Sequence, residues 1–314
     1  MMKPDNGYIF LIINTKAGPS SEKLVVKKFI EYLQQKGFQL KISHTESLPH
    51  AQSLAAEVAV KYDCSMVMVA GGDGTIREVA HGLEGSDKPL MIIPCGTENL
   101  LANELGYKTT LKNIISIFEA EVIRPLDLCK ANNKFFTSVG GVGFDGDVVK
   151  LVDAQRQGNI THLHYFWPIW KTFWAYDFPK ITVEVEDKIV FSDRGLVIFG
   201  NISRYALGIP ILQAADFGDG LLDVCIYKCS NRAALLLHSL MTVLKSHRRR
   251  KSVFYKQCKK IKIYSETPMR TELDGDPGPQ LPLEVAIIPQ AVKVLVPPDG
   301  KPVGMRTRIF RIFE

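Results

Sequence analysis

The stretch from Cys64 to Thr75 constrains the fold more than any other part of the chain. Cys64-Ser65-Met66-Val67-Met68-Val69 is a short apolar run whose length and valines suit a strand buried on both faces of a parallel sheet. It leads directly into Ala70-Gly71-Gly72-Asp73-Gly74-Thr75, and beyond that the pattern turns helical. Thr75 and Glu78 stand at the T-x-x-E spacing of a capping box, which predicts a helix starting near Thr75. Three glycines remove side chains where a ligand's phosphates would approach the backbone, and a helix N-terminus adds partial positive charge. The stretch reads as a phosphate cradle, with a ligand-free glycine turn as the plain alternative.

The flanking pattern places this unit in a sheet. Tyr8 to Ile13 reads as a strand, Asn14-Thr15-Lys16-Ala17-Gly18-Pro19-Ser20 as a turn, and Val26, Phe29, Ile30 and Leu33 as the buried stripe of a helix stopped by Gly37. A second strand covers Phe38 to Ser43, and Pro49 suits the first turn of a helix whose stripe is Ala51, Leu54, Ala55, Val58 and Tyr62. Pro89 to Ile93 is a further strand, feeding Pro94-Cys95-Gly96-Thr97-Glu98-Asn99 and a helix that runs through Leu105 to Gly106. This alternation over about a hundred residues predicts a doubly wound, Rossmann-like parallel sheet, whose ligands bind beyond the carboxyl ends of the strands. The polar turns at Asn14, Gly71 and Gly96 all fall at those ends.

From about Asp127 the pattern changes to short strands: 134–139, 180–185, 189–191, 195–200, 221–227, 260–264, 283–288 and 292–296. Arg232 to Leu244 is the one clear helix among them. The fold class is therefore α/β plus β, a Rossmann-like nucleotide-binding domain over 1–125 followed by a mostly antiparallel β-sandwich over 126–314. The segment 290–314 is assigned to the second domain, with a return to the first left open. Leu163 to Phe178 holds Tyr165, Phe166, Trp167, Trp170, Phe173, Trp174, Tyr176 and Phe178. Both an aromatic helix packed on the core and an interface-seeking surface are open for it.

Composition narrows the class. At 314 residues, 46% apolar and 23% charged, the chain is an ordinary globular protein. No run approaches the length of a membrane span, and Tyr8 to Ile13 is too short for a signal-peptide core, so a cytoplasmic location is expected. Six scattered cysteines read as reduced thiols, and Cys225-x3-Cys229 lacks the second pair a zinc site would want. Net charge is +6, but nine of the Lys and Arg residues fall between Lys245 and Lys262, a segment without an acid. That points to a local anionic partner, either lipid headgroups or nucleic acid, with a solvated face as the bland reading. No reader motif accompanies Ser246-His247-Arg248-Arg249-Arg250-Lys251, so no specific nucleic acid is expected.

Three features carry chemistry. Asp73 in the glycine loop could hold Mg²⁺ against a phosphate or orient a nucleophile. Gly96-Thr97-Glu98-Asn99 offers a hydroxyl, an amide and helix N–H groups, and with the first loop could grip a triphosphate from two sides. Glu272-Leu273-Asp274-Gly275-Asp276 places two carboxylates around a glycine. It is too poor in ligands for a calcium loop, and reads either as a turn with solvated acids or as the carrier of an acid that accepts a proton from an attacking hydroxyl.

Four motifs, Gly71-Gly72-Asp73-Gly74-Thr75, Pro94-x-Gly96-Thr97-x-Asn99-x-x-Ala102, Asp219-Gly220-Leu221-Leu222-Asp223 and Leu273-Asp274-Gly275-Asp276, occur in one order. In that order the chain resembles the diacylglycerol kinase catalytic-domain family, which includes bacterial soluble lipid kinases and the sphingosine kinases. The resemblance implies an ATP- and Mg²⁺-dependent lipid kinase acting on a hydroxyl of diacylglycerol or a sphingoid base, held peripherally at a membrane surface, with a homodimer left open. It implies that Asn14, Thr15, Lys16, Ala17, Gly18, Thr45, Gly71, Gly72, Asp73, Gly74, Thr75, Ile76, Arg77, Thr97 and Asn99 line the nucleotide. It assigns a metal site to Asp219 with backbone oxygens of Asp216 and Leu221, supported by Asp127, and the catalytic base to Asp274 or Asp276, Asp274 being favoured.

Two departures stand out. Asp276 replaces the family's Glu and reaches one methylene less far, and Arg77 stands where relatives carry Asn, adding charge near the nucleotide. NAD kinases share the Gly-Gly-Asp-Gly loop and are the rival enzyme, although Gly96-Thr97-Glu98-Asn99 does not match them. A catalytically silent nucleotide or lipid sensor is the rival from another class, disfavoured by the intact acids at 73, 127, 219 and 274.

Overall fold

The computed structural model describes residues 7–154, 163–205 and 208–298. The side chains of Tyr165 and Phe166, and the C-terminal segment beyond 298, lie outside the described residues. The chain divides into two compact units, one formed by the residues up to Leu128 together with those from Pro289, the other by Cys129–Ile288.

The first unit alternates strands and helices: β1 (Tyr8–Ile13), α1 (Ser20–Gln35), β2 (Gln39–His44), α2 (Leu48–Ala59), β3 (Cys64–Gly71), α3 (Asp73–Gly82), β4 (Leu90–Pro94), α4 (Leu100–Glu104) and α5 (Leu111–Ala120). The strands lie in the order β2-β1-β3-β4, all parallel. β3 is central and buried at every position but Ser65, as its mostly apolar run requires. α1 buries Val26, Phe29 and Leu33 and ends before Gly37, whose φ of 84° no β-carbon residue adopts cheaply. Ser47 caps α2 by accepting from the His50 N–H. α5, absent from the pattern reading, is amphipathic and packs Ile114, Ile117 and Phe118 inward. Each such side chain contributes about 1.5–3 kcal/mol by burial.

The chain crosses into the second unit within β5 (Ile123–Ala131) and continues through β6 (Lys134–Phe136), β7 (Val139–Val142), α6 (Phe144–Ala154), α7 (Leu163–Ala175), β8 (Lys180–Val185), β9 (Lys188–Gly200), β10 (Leu222–Lys228), α8 (Arg232–Val243), β11 (Val253–Cys258), β12 (Lys260–Tyr264), β13 (Thr271–Leu273), β14 (Asp276–Pro277) and β15 (Leu283–Leu295). One antiparallel sheet runs β14-β13-β7-β9-β10-β11. A second pairs β9-β8-β12-β15. The two sheets share β9, whose N-terminal half pairs with β8 and whose C-terminal half pairs with β7 and β10. The runs 189–191 and 195–200 are therefore one strand rather than two. The interior holds Phe136, Val183, Val197, Phe199, Val224, Ile261 and Val285 among others, the core expected of a sandwich.

β15 returns the chain to the first unit, where Val294 pairs in parallel with Leu90 of β4. The Tyr107 hydroxyl secures the return by donating to the Leu295 carbonyl at 2.7 Å.

Candidate active site

In the first unit the strand order puts the topological switch point between β1 and β3, so the loops leaving these two strands lie where doubly wound sheets bind ligands. Their side chains and backbones interlock. The Asn14 N–H donates to the Ala70 carbonyl at 2.9 Å, and the Asn14 amide donates to Thr75 Oγ1 at 2.8 Å while accepting from the Lys16 N–H at 3.0 Å. A β-carbon on Gly18 would stand 2.5 Å from the Cys95 carbonyl, and one on Gly96 only 2.7 Å from Gly72 Cα. Three loops, 14–18, 71–75 and 95–99, thus converge at backbone contact, and the glycines are required by that contact as much as by any ligand. Asn99 adopts the left-handed conformation and closes its loop on itself, accepting from the Gly96 N–H at 2.7 Å and donating to the Gly96 carbonyl at 2.6 Å.

α3 begins at Asp73 with Gly72 as N-cap, two residues before the expected start. The Thr75–Glu78 capping box does not form. Thr75 is buried, with its hydroxyl bonded to Asn14, and Glu78 accepts from Arg77 Nε at 3.1 Å. The charge of Arg77 is thereby paired locally. The first-turn amides of Gly74 and Thr75 have no acceptor within the helix and carry the positive end of its dipole. Ile76 is fully buried in the core, so its side chain does not line the loop surface. Thr15, Lys16 and Thr97 are exposed, and Thr45, bonded through its N–H to the Ile13 carbonyl, is buried beside β1. Asp127 is fully buried, and its Oδ1 accepts from the Gln290 N–H at 2.6 Å, which fastens the returning β15 segment.

In the second unit Asp274 and Gly275 form the two-residue turn between β13 and β14, both with positive φ (51° and 81°), as Asp-Gly hairpins demand. Asp274 is half-buried, and both oxygens of its carboxylate are engaged. Its Oδ2 accepts from the Thr137 N–H at 2.9 Å and the Thr137 hydroxyl at 3.3 Å, and its Oδ1 accepts from the N–H groups of Ser138 at 2.9 Å and Val139 at 3.3 Å. Asp276 is half-buried at the start of β14. Glu272, which opens the same motif but is given no role by the sequence, is fully buried; its Oε2 accepts from the Gly275 N–H at 3.0 Å and its Oε1 from the Tyr205 hydroxyl at 3.4 Å. Desolvation, together with the neighbouring Asp145 carboxylate, raises the Glu272 carboxyl well above the usual range, and burial pushes Asp145 up to about 6. Glu272 pairs across the ladder with Gly141, where a β-carbon would stand 3.2 Å from Glu272 Oε1, so its burial follows from a pairing between distant strands that the local sequence does not show.

Asp216 and Asp219 sit on one loop. Asp219 Oδ1 accepts from the Leu221 N–H at 2.9 Å and Oδ2 from the Gln257 amide at 3.3 Å, and burial raises its carboxyl. Asp223, fully buried in β10, takes hydrogen bonds from Tyr255 and Gln257, and desolvation pushes it up to about 6. Carboxylates and backbone carbonyls are hard oxygen donors of the kind Mg²⁺ prefers, so the chemistry of this loop fits such an ion. Among the described residues no group of three or more His, Cys, Asp or Glu is arranged as a metal cluster. All six cysteines are free and buried, in keeping with reduced thiols.

Comparison with known proteins bears directly on these features. Residues 8–131 match the diacylglycerol kinase catalytic domain, and 138–296 match the YegS C-terminal NAD kinase beta sandwich-like domain. A diacylglycerol kinase of Mycobacterium tuberculosis is 32% identical over 263 residues, which are 79% of this chain and 81% of the relative. The chain belongs to the diacylglycerol kinase family. A Bacillus subtilis diacylglycerol kinase is 24% identical over 294 residues, 92% of this chain and 96% of that one. The fold is shared with a solved Bacillus anthracis diacylglycerol kinase, at a TM-score of 0.72 and 21% identity over 95% of this chain and 99% of the other. Family membership makes the chain a lipid kinase, a phosphotransferase with an alcohol group as acceptor. Among the described residues no helix is long and apolar enough to cross a membrane.

Proposed function

We propose that this lipid kinase transfers the γ-phosphoryl group of ATP, with Mg²⁺, to a hydroxyl of diacylglycerol or a sphingoid base, as a cytoplasmic enzyme peripherally associated with a membrane. The observation that carries the nucleotide half is the convergence of the 14–18, 71–75 and 95–99 loops at the switch point of the parallel sheet. There the amides of Gly74 and Thr75 and the dipole of α3 meet phosphate oxygens, and Thr15, Lys16 and Thr97 are exposed polar side chains able to follow them. Asn14 and Asn99 hold loop shape rather than ligand, since their amide groups are engaged by Thr75, Lys16 and Gly96.

In the transfer, the acceptor oxygen forms a bond to the γ-phosphorus in line with the breaking bond to the ADP oxygen, and the acceptor's proton leaves to a carboxylate. We assign that proton to the Asp274–Gly275–Asp276 turn, whose geometry is held by Thr137, Ser138 and Glu272. Asp73, at the first position of α3, is assigned to the phosphate side. Mg²⁺ supplies charge neutralisation on the phosphates when bound, and within the second unit the Asp216–Leu221 loop carries the oxygen donors suited to hold it.

A transfer assay with radiolabelled ATP against diacylglycerol, sphingoid bases, ceramide, phosphatidylglycerol and NAD tests the reading. Label in a lipid confirms it and identifies the acceptor. Label only in NAD would move the chain to the NAD kinase reading, which the description of the second matched domain keeps in view.

A further inference from the structure

In the second unit α8 is folded inside out. Its buried positions are Leu235, His238 and Thr242, so two of three are polar: the His238 ring bonds the Lys228 carbonyl at 3.0 Å, and the Thr242 hydroxyl bonds the His238 carbonyl at 2.7 Å. The outer face carries Leu236, Leu237, Leu240, Val243 and, just past the helix, Leu244. These recur at the spacing of one helical stripe, the arrangement a surface helix normally turns toward the core. α7 repeats the inversion. Thr172 is buried, whereas Trp167, Trp170 and Trp174 form an outward stripe at i, i+3 and i+7. Trp167, Trp170, Trp174, Leu236, Leu240, Val243 and Leu244 are each between 50% and 60% exposed.

The two helices are joined. Arg232, the first residue of α8, donates from Nε to the Phe173 carbonyl at 3.1 Å and from Nη2 to the Trp174 carbonyl, with its guanidinium 5.7 Å from the Trp174 ring centre. The end of one apolar stripe therefore adjoins the start of the other. Neither helix contains an acid, and none occurs between Arg232 and Lys262. Lys171 stands on α7 beside Trp170, and Lys245, Arg248, Arg249 and Lys251 follow Leu244 in the chain, all of them exposed.

We propose that α7 and α8 form a single docking surface for an anionic lipid bilayer, with the α8 leucines and α7 tryptophans entering the headgroup region and the basic residues meeting lipid phosphates. The proposal rests on the reading of the chain as a lipid kinase, whose acceptor resides in a bilayer, but it makes a claim of its own about which face does the docking. Tryptophan is the side chain best suited to the water–hydrocarbon boundary, and a basic edge with no acid complements anionic headgroups. A second protein surface would be served by the leucines but gives no reason for nine basic residues and no acid between Lys245 and Lys262.

The three tryptophans of the chain all lie on α7, so tryptophan emission, excited selectively over the tyrosines, reports on this surface alone. The full chain, without nucleotide or acceptor, is mixed with vesicles of phosphatidylcholine or of phosphatidylcholine with about one-third phosphatidylglycerol, and both co-sedimentation and emission are read. The wild type is expected to bind the anionic vesicles with a blue-shifted emission. Leu236→Ser with Leu240→Ser should weaken that binding by about tenfold or more and reduce the shift, while Lys245→Gln with Arg249→Gln should remove the preference for anionic over neutral vesicles. Thermal unfolding and turnover on a short-chain, water-soluble acceptor should match wild type in both variants, which separates docking from catalysis. A chain that phosphorylates no acceptor but still binds as described sinks the functional reading and leaves the surface standing. No emission change with anionic vesicles, equal binding by the leucine variant, or a lipid-independent dimer abolished by that variant would each overturn the proposal, the last by making a second copy the occupant.

Discussion

Ser138 donates its backbone N–H to Asp274 Oδ1 at 2.9 Å, so the acid that leads the β13–β14 turn is also the bolt that fixes this turn to the 137–139 segment. Replacing Asp274 by Asn puts an amide donor against backbone N–H donors. The expected cost is about 1–3 kcal/mol of stability, together with loss of turnover. Asp276→Asn disturbs no bond of that clamp and should lower kcat while leaving the melting temperature near wild type. Paired denaturation curves and kcat values check this, and a fully active Asp274→Asn enzyme would remove Asp274 from the chemistry and leave Asp276 as the acid of the turn.

Glu272 supports the same turn from below, its Oε2 taking the Gly275 N–H at 3.0 Å. Because burial and Asp145 favour the protonated carboxyl, Glu272→Gln replaces it with a neutral group of the same shape. We expect this variant to keep activity within about threefold of wild type, whereas Glu272→Ala, which leaves the Gly275 N–H unpaired in a cavity, should lose roughly 2–4 kcal/mol of stability and most of kcat. A Gln variant as damaged as the Ala variant would show that the charged form is needed.

The contrast between α3 and Glu272 shows how far the sequence carries. The β3 strand and its glycine loop are legible because an apolar run, a glycine cluster and a change of period lie within a dozen residues and are set by local chemistry. The Thr75–Glu78 spacing misleads by two residues, since the same local pattern permits either start and the Asn14–Thr75 bond, 61 residues apart in sequence, favours the earlier one. Glu272 lies beyond local reading altogether: its burial depends on β13 pairing with β7, where Gly141 leaves room for its carboxyl. The same holds for α8, whose periodicity is plain but whose choice of inward face is made by Tyr227, paired to Thr242 at 3.0 Å, and by the Lys228 carbonyl that receives His238.

The backbone contact between Gly72 and Gly96 predicts a specific lesion. A β-carbon added at Gly96 would lie 2.7 Å from Gly72 Cα, with no flexible side chain to give way, so the two loops must separate. Gly96→Ala should cost about 1–3 kcal/mol of stability and weaken ATP binding by about tenfold or more, because the amides of α3 move relative to the 95–99 loop. Calorimetric titration with ATP checks it. Unchanged affinity alongside a measurable loss of stability would mean that the 95–99 loop does not contribute to the nucleotide site.

Asp145 gives the second unit a pH dependence of known sign. Burial pushes its carboxyl up to about 6 in the folded chain from an ordinary value of 3.8, so folding favours the protonated form. Below about pH 4 both states hold the proton and no penalty arises; between about 4 and 6 the unfolded chain releases it first, and stability falls as pH rises until the penalty is complete above 6. Asp145→Asn removes this dependence. Relative to wild type, the variant should gain about 1–3 kcal/mol between about pH 4 and pH 7.5, with most of the gain appearing between 4 and 6. Glu272, which shares the site and is raised by burial and by Asp145, adds a slope of the same sign and loses the Asp145 part of it in the variant, so the quantity to measure is the difference between the two denaturation series at each pH. A difference independent of pH across that window would place the Asp145 carboxyl in a solvated setting and contradict its burial.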